Sequence, residues 1–212
     1  MARTIGGIAV PDSTLARAAT ELIRDAEPDL LYDHSLRVFL WGSLQGQRRG
    51  LAFDPELLYI GAMFHDLGLN EGHRSDDLRF EVDSANAARD FLRSHGVPEE
   101  SVRIVWDAIA LHTTPGIPEH KEPEVALVTA GVEYDVLGIG YDDIPAPTHT
   151  AVVAELPRGN FKERIIQAFY DGFAFKPETT FGTVNADVIA DKDPRFQRRD
   201  FCAVIRHSKH TS

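Results

Sequence analysis

The chain has 212 residues, 43% of them hydrophobic, which is enough to bury one substantial core. Its 33 acidic against 22 basic side chains give a net charge of -11, which excludes a broad basic footprint for nucleic acid or anionic lipid. The longest apolar runs, such as Leu57 to Met63, are too short to cross a bilayer, and no basic segment followed by an apolar core opens the chain. With a single cysteine, and so no internal disulfide, these features predict a cytoplasmic protein folded as one domain over residues 1–212.

In chain order the pattern is helical. Leu15, Ala18, Ala19, Leu22 and Ile23 mark an amphipathic helix that stops near Pro28, and a second runs from about Leu30 to Gln47 before Gly50. Asp54-Pro55 reads as an N-cap with proline in the first turn, opening a nearly all-apolar helix through His65-Asp66-Leu67. Ala85, Ala88, Phe91 and Leu92 define a helix ending at Gly96, and Pro98 opens the next, which carries Val102, Val105, Ile109 and His112. Pro123 begins a buried helix through Val125, Val128, Val132 and Asp135 to Gly138. Tyr141 to Arg158, rich in Pro and Thr, reads as a looser stretch.

Asn160 with Glu163 forms a predicted capping box ahead of Phe161, Ile165, Phe169 and Phe173, whose helical spacing assigns them to the core. Thr179 to Val184 reads as an extended segment leading into a short helix at Asn185 to Ala190. Cys202, within Phe201 to Ile205, is expected to be a small buried side chain rather than a nucleophile. Without strand alternation elsewhere, the fold class is all-α.

Four polar residues stand in apolar helices. His34 shares a stripe with Leu31, Val38 and Trp41; alone, it would read equally as a core histidine satisfied by a backbone carbonyl. His65-Asp66 lies within Tyr59 to Leu67, where the carboxylate has no cationic neighbour on its own helix. Asp135 repeats the problem on the face of Val128, Gly131 and Val132. An unpaired buried carboxylate costs several kcal/mol or takes up a proton. One divalent ion held by all four residues removes that cost, because neutral imidazoles and ionised carboxylates are ordinary ligands.

The order His, His-Asp, Asp on successive helices resembles the HD superfamily of metal-dependent hydrolases, over a motif core of about residues 30–140. The resemblance implies a compact helical bundle with the metal site in its core and a C-terminal helical extension over 160–205. It also implies His34, His65, Asp66 and Asp135 as ligands of one divalent ion, Zn²⁺ in the first place, with Fe²⁺ or Mn²⁺ accepting the same set. Members acting on phosphates often follow His-Asp-x-Gly with lysine, whereas here Gly68 is followed by Leu69, leaving Arg37, Arg74 and Arg79 as the cations available to a phosphate.

Residues 31–42, 64–69, 79–88 and 180–188 are similar to a narrower group, the cyanamide hydratase-like HD proteins. That similarity implies hydration of a small nitrile-type substrate, cyanamide becoming urea, by water whose pKa the ion lowers. Asp66 is the implied proton acceptor, and His112, at a helix end before Thr113-Thr114-Pro115-Gly116, is the candidate acid that protonates the nitrogen. His112 reads equally as a C-terminal histidine facing the helix dipole, or as a further ligand. Glu81 and Asp83 read first as acids at a helix N-terminus, with Glu81 also near the site by resemblance. His73, His95, His120, His149, His207 and His210 are assigned to the surface.

The alternatives are a phosphohydrolase of nucleotides or small phosphate esters, and a non-catalytic, metal-stabilised ligand-binding module. The expected partner is a small-molecule substrate, without nucleic acid or membrane, and a homodimer is expected only from the commonness of two-fold assemblies.

Overall fold

The computed structural model describes residues 3–209, and among these residues ten α-helices carry the fold. The strands are confined to a two-residue hairpin, β1 (Thr4–Ile5) and β2 (Ile8–Ala9), paired antiparallel. No helix among the described residues is long and apolar enough to cross a membrane.

α1 (Thr14–Ala26) is capped by the Ser13 side chain and buries Ala16, Ala19 and Ile23. α2 (Asp29–Arg49) is the longest helix and ends at Gly50, whose φ of 65° supplies the left-handed cap. α3 (Pro55–Phe64) begins as its sequence predicts: Asp54 accepts from the amides of Glu56 and Leu57, and Pro55 occupies the first turn. α4 (Phe80–Ser94) and α5 (Glu99–Leu111) form an antiparallel pair, and α6 (Pro123–Val132) lies along α2. Glycine makes that last packing close. A Cβ on Gly131 would lie 2.2 Å from the Val38 carbonyl oxygen and one on Gly42 2.6 Å from that of Leu127, so the two backbones nearly touch.

The C-terminal part differs from expectation in four places. The Pro- and Thr-rich stretch contains α7 (Ala146–Glu155), because Pro147 falls in the first helical turn, where no amide needs a partner. α8 (Phe161–Phe173) forms as predicted, but Asn160 makes no side-chain capping bond. Residues Pro177–Thr180 make a 3₁₀ turn rather than an extended segment, followed by α9 (Asn185–Lys192) and α10 (Phe201–Arg206). Cys202 is exposed, because α10 buries none of its residues.

A second apolar cluster joins Phe161, Ile165, Phe173 and Ile189 from α8 and α9 to Leu31, Leu69 and Phe80. The C-terminal helices are thereby packed directly on the segment that carries His65-Asp66.

Candidate metal centre

α3 stops where the chemistry begins. His65 keeps helical geometry, but its Nδ1 lies 2.6 Å from the Ala62 carbonyl oxygen, and Asp66 leaves the helical path at φ -105°, ψ 2°. The Leu67–Leu69 turn that follows is pressed onto α4: a Cβ on Gly68 would sit 2.3 Å from the Phe80 carbonyl oxygen, and the Gly68 amide donates to Ser84 Oγ at 2.8 Å. His112 repeats the His65 arrangement at the end of α5, with Nδ1 2.6 Å from the Ile109 carbonyl oxygen. His34, midway along α2, has Nδ1 2.7 Å from Asp135 Oδ2.

These partners fix the tautomers. Carbonyl and carboxylate oxygens only accept, so each Nδ1 carries the proton and each Nε2 of the neutral rings a lone pair. His34 Nε2 and His65 Nε2 face each other at 3.3 Å, and Asp66 Oδ2 lies 3.6 and 3.2 Å from them. His112 Nε2 is 3.6 Å from Asp66 Oδ1. Neither Asp66 oxygen has a hydrogen-bond partner among the described residues, and His34, His65 and Asp66 are all 0% exposed.

Lone pairs and a carboxylate therefore converge in the buried interior, an arrangement suited to a cation. The spacing fits one, since two donors bound to a tetrahedral ion at about 2.0–2.1 Å lie roughly 3.3–3.4 Å apart. Ligand atoms of His34, His65 and Asp66 all fall within 4.8 Å of one another, and these three side chains could hold a metal ion.

The protonation tendencies point the same way. Burial opposes charge throughout; against it, the His65 and His34 rings and His112 hold the Asp66 carboxyl well below its ordinary value. The Asp66 charge correspondingly raises His65, overcoming the downward effect of burial. Burial dominates at His34 and lowers it despite Asp135. A proton shared near His65 and Asp66 is what a divalent ion would displace.

Asp135, expected as the fourth ligand, lies outside this group. A π-helical turn (Glu133–Leu137) continues α6, and Asp135 sits within it, behind His34. Its carboxylate accepts from His34 Nδ1, from Arg37 at 3.0 to 3.2 Å, from Trp41 Nε1 at 2.9 Å and from Arg158. These donors leave it no unmet need for a cation, and with His34 and Arg37 they hold its carboxyl far below the ordinary range against the effect of burial. It holds the His34 ring through Nδ1.

The arginine expectations change with it. Arg37 is 1% exposed and committed to Asp135, Arg74 donates to the Asp171 carbonyl, and Arg79 pairs with Glu81. Leu69 packs against Gly172 in the second apolar cluster and does not line the cavity at the metal centre, so its identity says nothing about phosphate.

That cavity has a volume of about 160 Å³ and is lined by His34, His65, Asp66 and His112, with Val132, Val136, Phe169 and Val188 among its apolar walls. No lysine or arginine lines it among the described residues; its further charged group is Glu133.

Glu81 is fully buried and accepts from Arg79, Thr113 and Asn185, the last two of which line the cavity. Asp83 binds Lys176 at 2.9 Å and lies away from it. Of the remaining histidines, His95, His120 and His207 are exposed, but half-buried His149 stacks on Trp41, with ring centroids 5.4 Å apart. His210 lies outside the described residues. Sequence reasoning did not single out Arg158 or Asn185, since neither interrupts an apolar pattern.

A match to the HD domain spans residues 31–136, half of the chain. The chain belongs to the HD domain family. HD domains bind divalent metals and are generally metal-dependent hydrolases, which agrees with the cluster of His34, His65 and Asp66. No curated protein matches the chain.

Proposed function

We propose that this HD protein is a metal-dependent hydratase that adds water to a small nitrile-type substrate such as cyanamide, giving urea. The observation carrying this reading is the cavity: about 160 Å³, mostly apolar, without lysine or arginine and with Glu133 on its wall. A phosphate ester would have to shed its hydration there with no cation but the ion itself, next to a carboxylate. A small neutral molecule incurs no such penalty. The similarity of residues 31–42, 64–69, 79–88 and 180–188 to cyanamide hydratase-like HD proteins supports the same choice.

His34, His65 and Asp66 would hold the ion, with Zn²⁺ preferred by the nitrogen-rich set. The bound ion would supply Lewis acidity that lowers the pKa of water and polarises the substrate. Asp135 holds the His34 ring through Nδ1, and the Ala62 carbonyl does the same for His65. The apolar walls exclude bulk water. Asp66 accepts the proton that leaves the attacking water and passes it to the lone pair of His112 Nε2, which faces Asp66 Oδ1 and delivers it to the substrate nitrogen. One C–O and one N–H bond form on C≡N to give the isourea, and a shift of its hydroxyl proton to that same former nitrile nitrogen completes urea with no leaving group.

The test is an assay of metal-loaded protein with cyanamide and with nucleoside monophosphates. Stoichiometric urea without ammonia is expected; phosphate release with no urea would establish the phosphohydrolase alternative typical of the family. Replacing His112 by Gln should reduce kcat for urea formation by roughly 10²-fold or more.

A further inference from the structure

The wall of the cavity next to His112 carries a polar arrangement that metal binding does not use. Glu81 is 0% exposed, and its ionised carboxylate, paired with Arg79 Nη2 at 2.8 Å, can only accept hydrogen bonds. Asn185 Nδ2 donates to Glu81 Oε1 at 3.0 Å, and the Thr113 hydroxyl donates to the same oxygen. Glu81 thus dictates which way round the Asn185 amide sits and where the Thr113 proton points. Arg79 Nη2 donates in turn to Thr113 Oγ1 at 3.2 Å.

What remains for the cavity is acceptor capacity. Asn185 lines it and is 6% exposed; its Oδ1 has no hydrogen-bond partner among the described residues, yet is not among the occluded, unpartnered atoms. An accessible amide oxygen on a residue so deeply buried opens on the space that residue lines. Around it Val184, Val188 and Phe169 offer no donor.

We propose that Asn185 is a specificity-determining residue, positioned by Glu81, whose Oδ1 accepts an N–H from the substrate. The cavity would then prefer a small neutral molecule bearing an N–H donor over one of the same shape without it. Resting on the hydratase reading, this narrows the substrate class from nitriles in general to amino-substituted nitriles. A carbon-substituted nitrile would leave the buried oxygen without a donor, a loss of about 10- to 100-fold.

Cyanamide and acetonitrile form the matched pair, since a methyl group replaces the amino group at nearly constant shape. Calorimetric binding of each to the metal-loaded protein, with urea and acetamide formation measured separately, keeps recognition apart from chemistry. The wild type should bind cyanamide at least about tenfold more tightly, and Asn185→Ala should bring the ratio near one. Glu81→Gln should also lower the ratio while Asn185 remains, because a glutamine amide can donate as well as accept and no longer forces Oδ1 toward the cavity. Equal binding of the two compounds by the wild type, binding of neither, or a ratio unchanged in both variants would overturn the assignment. Discriminating binding without product would uphold Asn185 and count against hydration alone.

Discussion

Asp66 and Asp135 are both buried acids, and they lie on opposite sides of one imidazole ring. On the Nδ1 side of His34, Asp135 is saturated by Arg37, Trp41, Arg158 and the ring itself. On the Nε2 side, Asp66 is 3.6 Å from the ring and has no hydrogen-bond partner among the described residues. The same residue type thus performs two tasks, decided by the donors around it. A carboxylate already supplied with donors orients a ligand, while one facing only lone pairs marks the place for a cation.

Unequal responses to the same substitution would sharpen this contrast. Asp66→Asn is expected to have the largest functional effect: the bound ion is lost on metal analysis, and activity falls about 10³-fold or more, the equivalent of several kcal/mol of lost charge stabilisation. In the metal-free state that variant should melt no higher than the wild type, since it removes a charge that pairs with His65. Asp135→Asn should lower metal-free stability by roughly 3–5 kcal/mol in denaturant titrations, because Arg37 is left buried with its counter-charge gone. Its metal affinity should fall by about 10- to 100-fold through loosening of His34. If Asp135→Asn abolished metal binding as completely as Asp66→Asn, the distinction between the two acids would fail.

With pH the two acids share a sign, since both carboxyls are depressed in the native state. The native carboxyl of Asp135 is depressed, so its contribution is present above the unfolded-state value of about 3.9 and is lost as pH falls. Glu27 supplies the opposite sign and the smallest effect. It is 6% exposed, its two oxygens are unpartnered among the described residues, and burial raises it well above the ordinary value, with the Asp66 charge pushing it further in the same direction. The stability it allows is full below the unfolded-state value of about 4.3 and declines as pH rises through the native one. Glu27→Gln should therefore flatten the thermal-melting profile above pH 5 and raise the melting temperature at pH 8, by about 2–4 °C for each kcal/mol of burial cost relieved.

Much of the metal centre was legible because it violates local pattern. His34, His65 and Asp66 interrupt apolar helices, and a dipeptide at a helix end needs no distant information to be conspicuous. Asp135 was equally conspicuous, but its partner was not legible. Whether a buried acid meets an ion or an arginine depends on which residue of another helix faces it, and Arg158 lies on a loop far along the chain. Arg37 illustrates the same limit, since one turn of α2 separates a phosphate ligand from a structural counter-ion. The helices from α1 to α6 followed from caps, proline and periodicity, whereas α7 was hidden by prolines that its first turn accommodates. Asn185 was inconspicuous because its role comes from Glu81, a tertiary neighbour on α4.

A single divalent ion among His34, His65 and Asp66, with Asp135 behind the ring rather than on the metal, is directly visible in an anomalous-difference map from crystals of the metal-loaded protein. One strong peak is expected about 2.0–2.2 Å from His34 Nε2, His65 Nε2 and an Asp66 oxygen, with Asp135 still bonded to Arg37 and His34 Nδ1. A peak bonded to Asp135 with its arginines displaced, or no peak between the two Nε2 atoms, would contradict it.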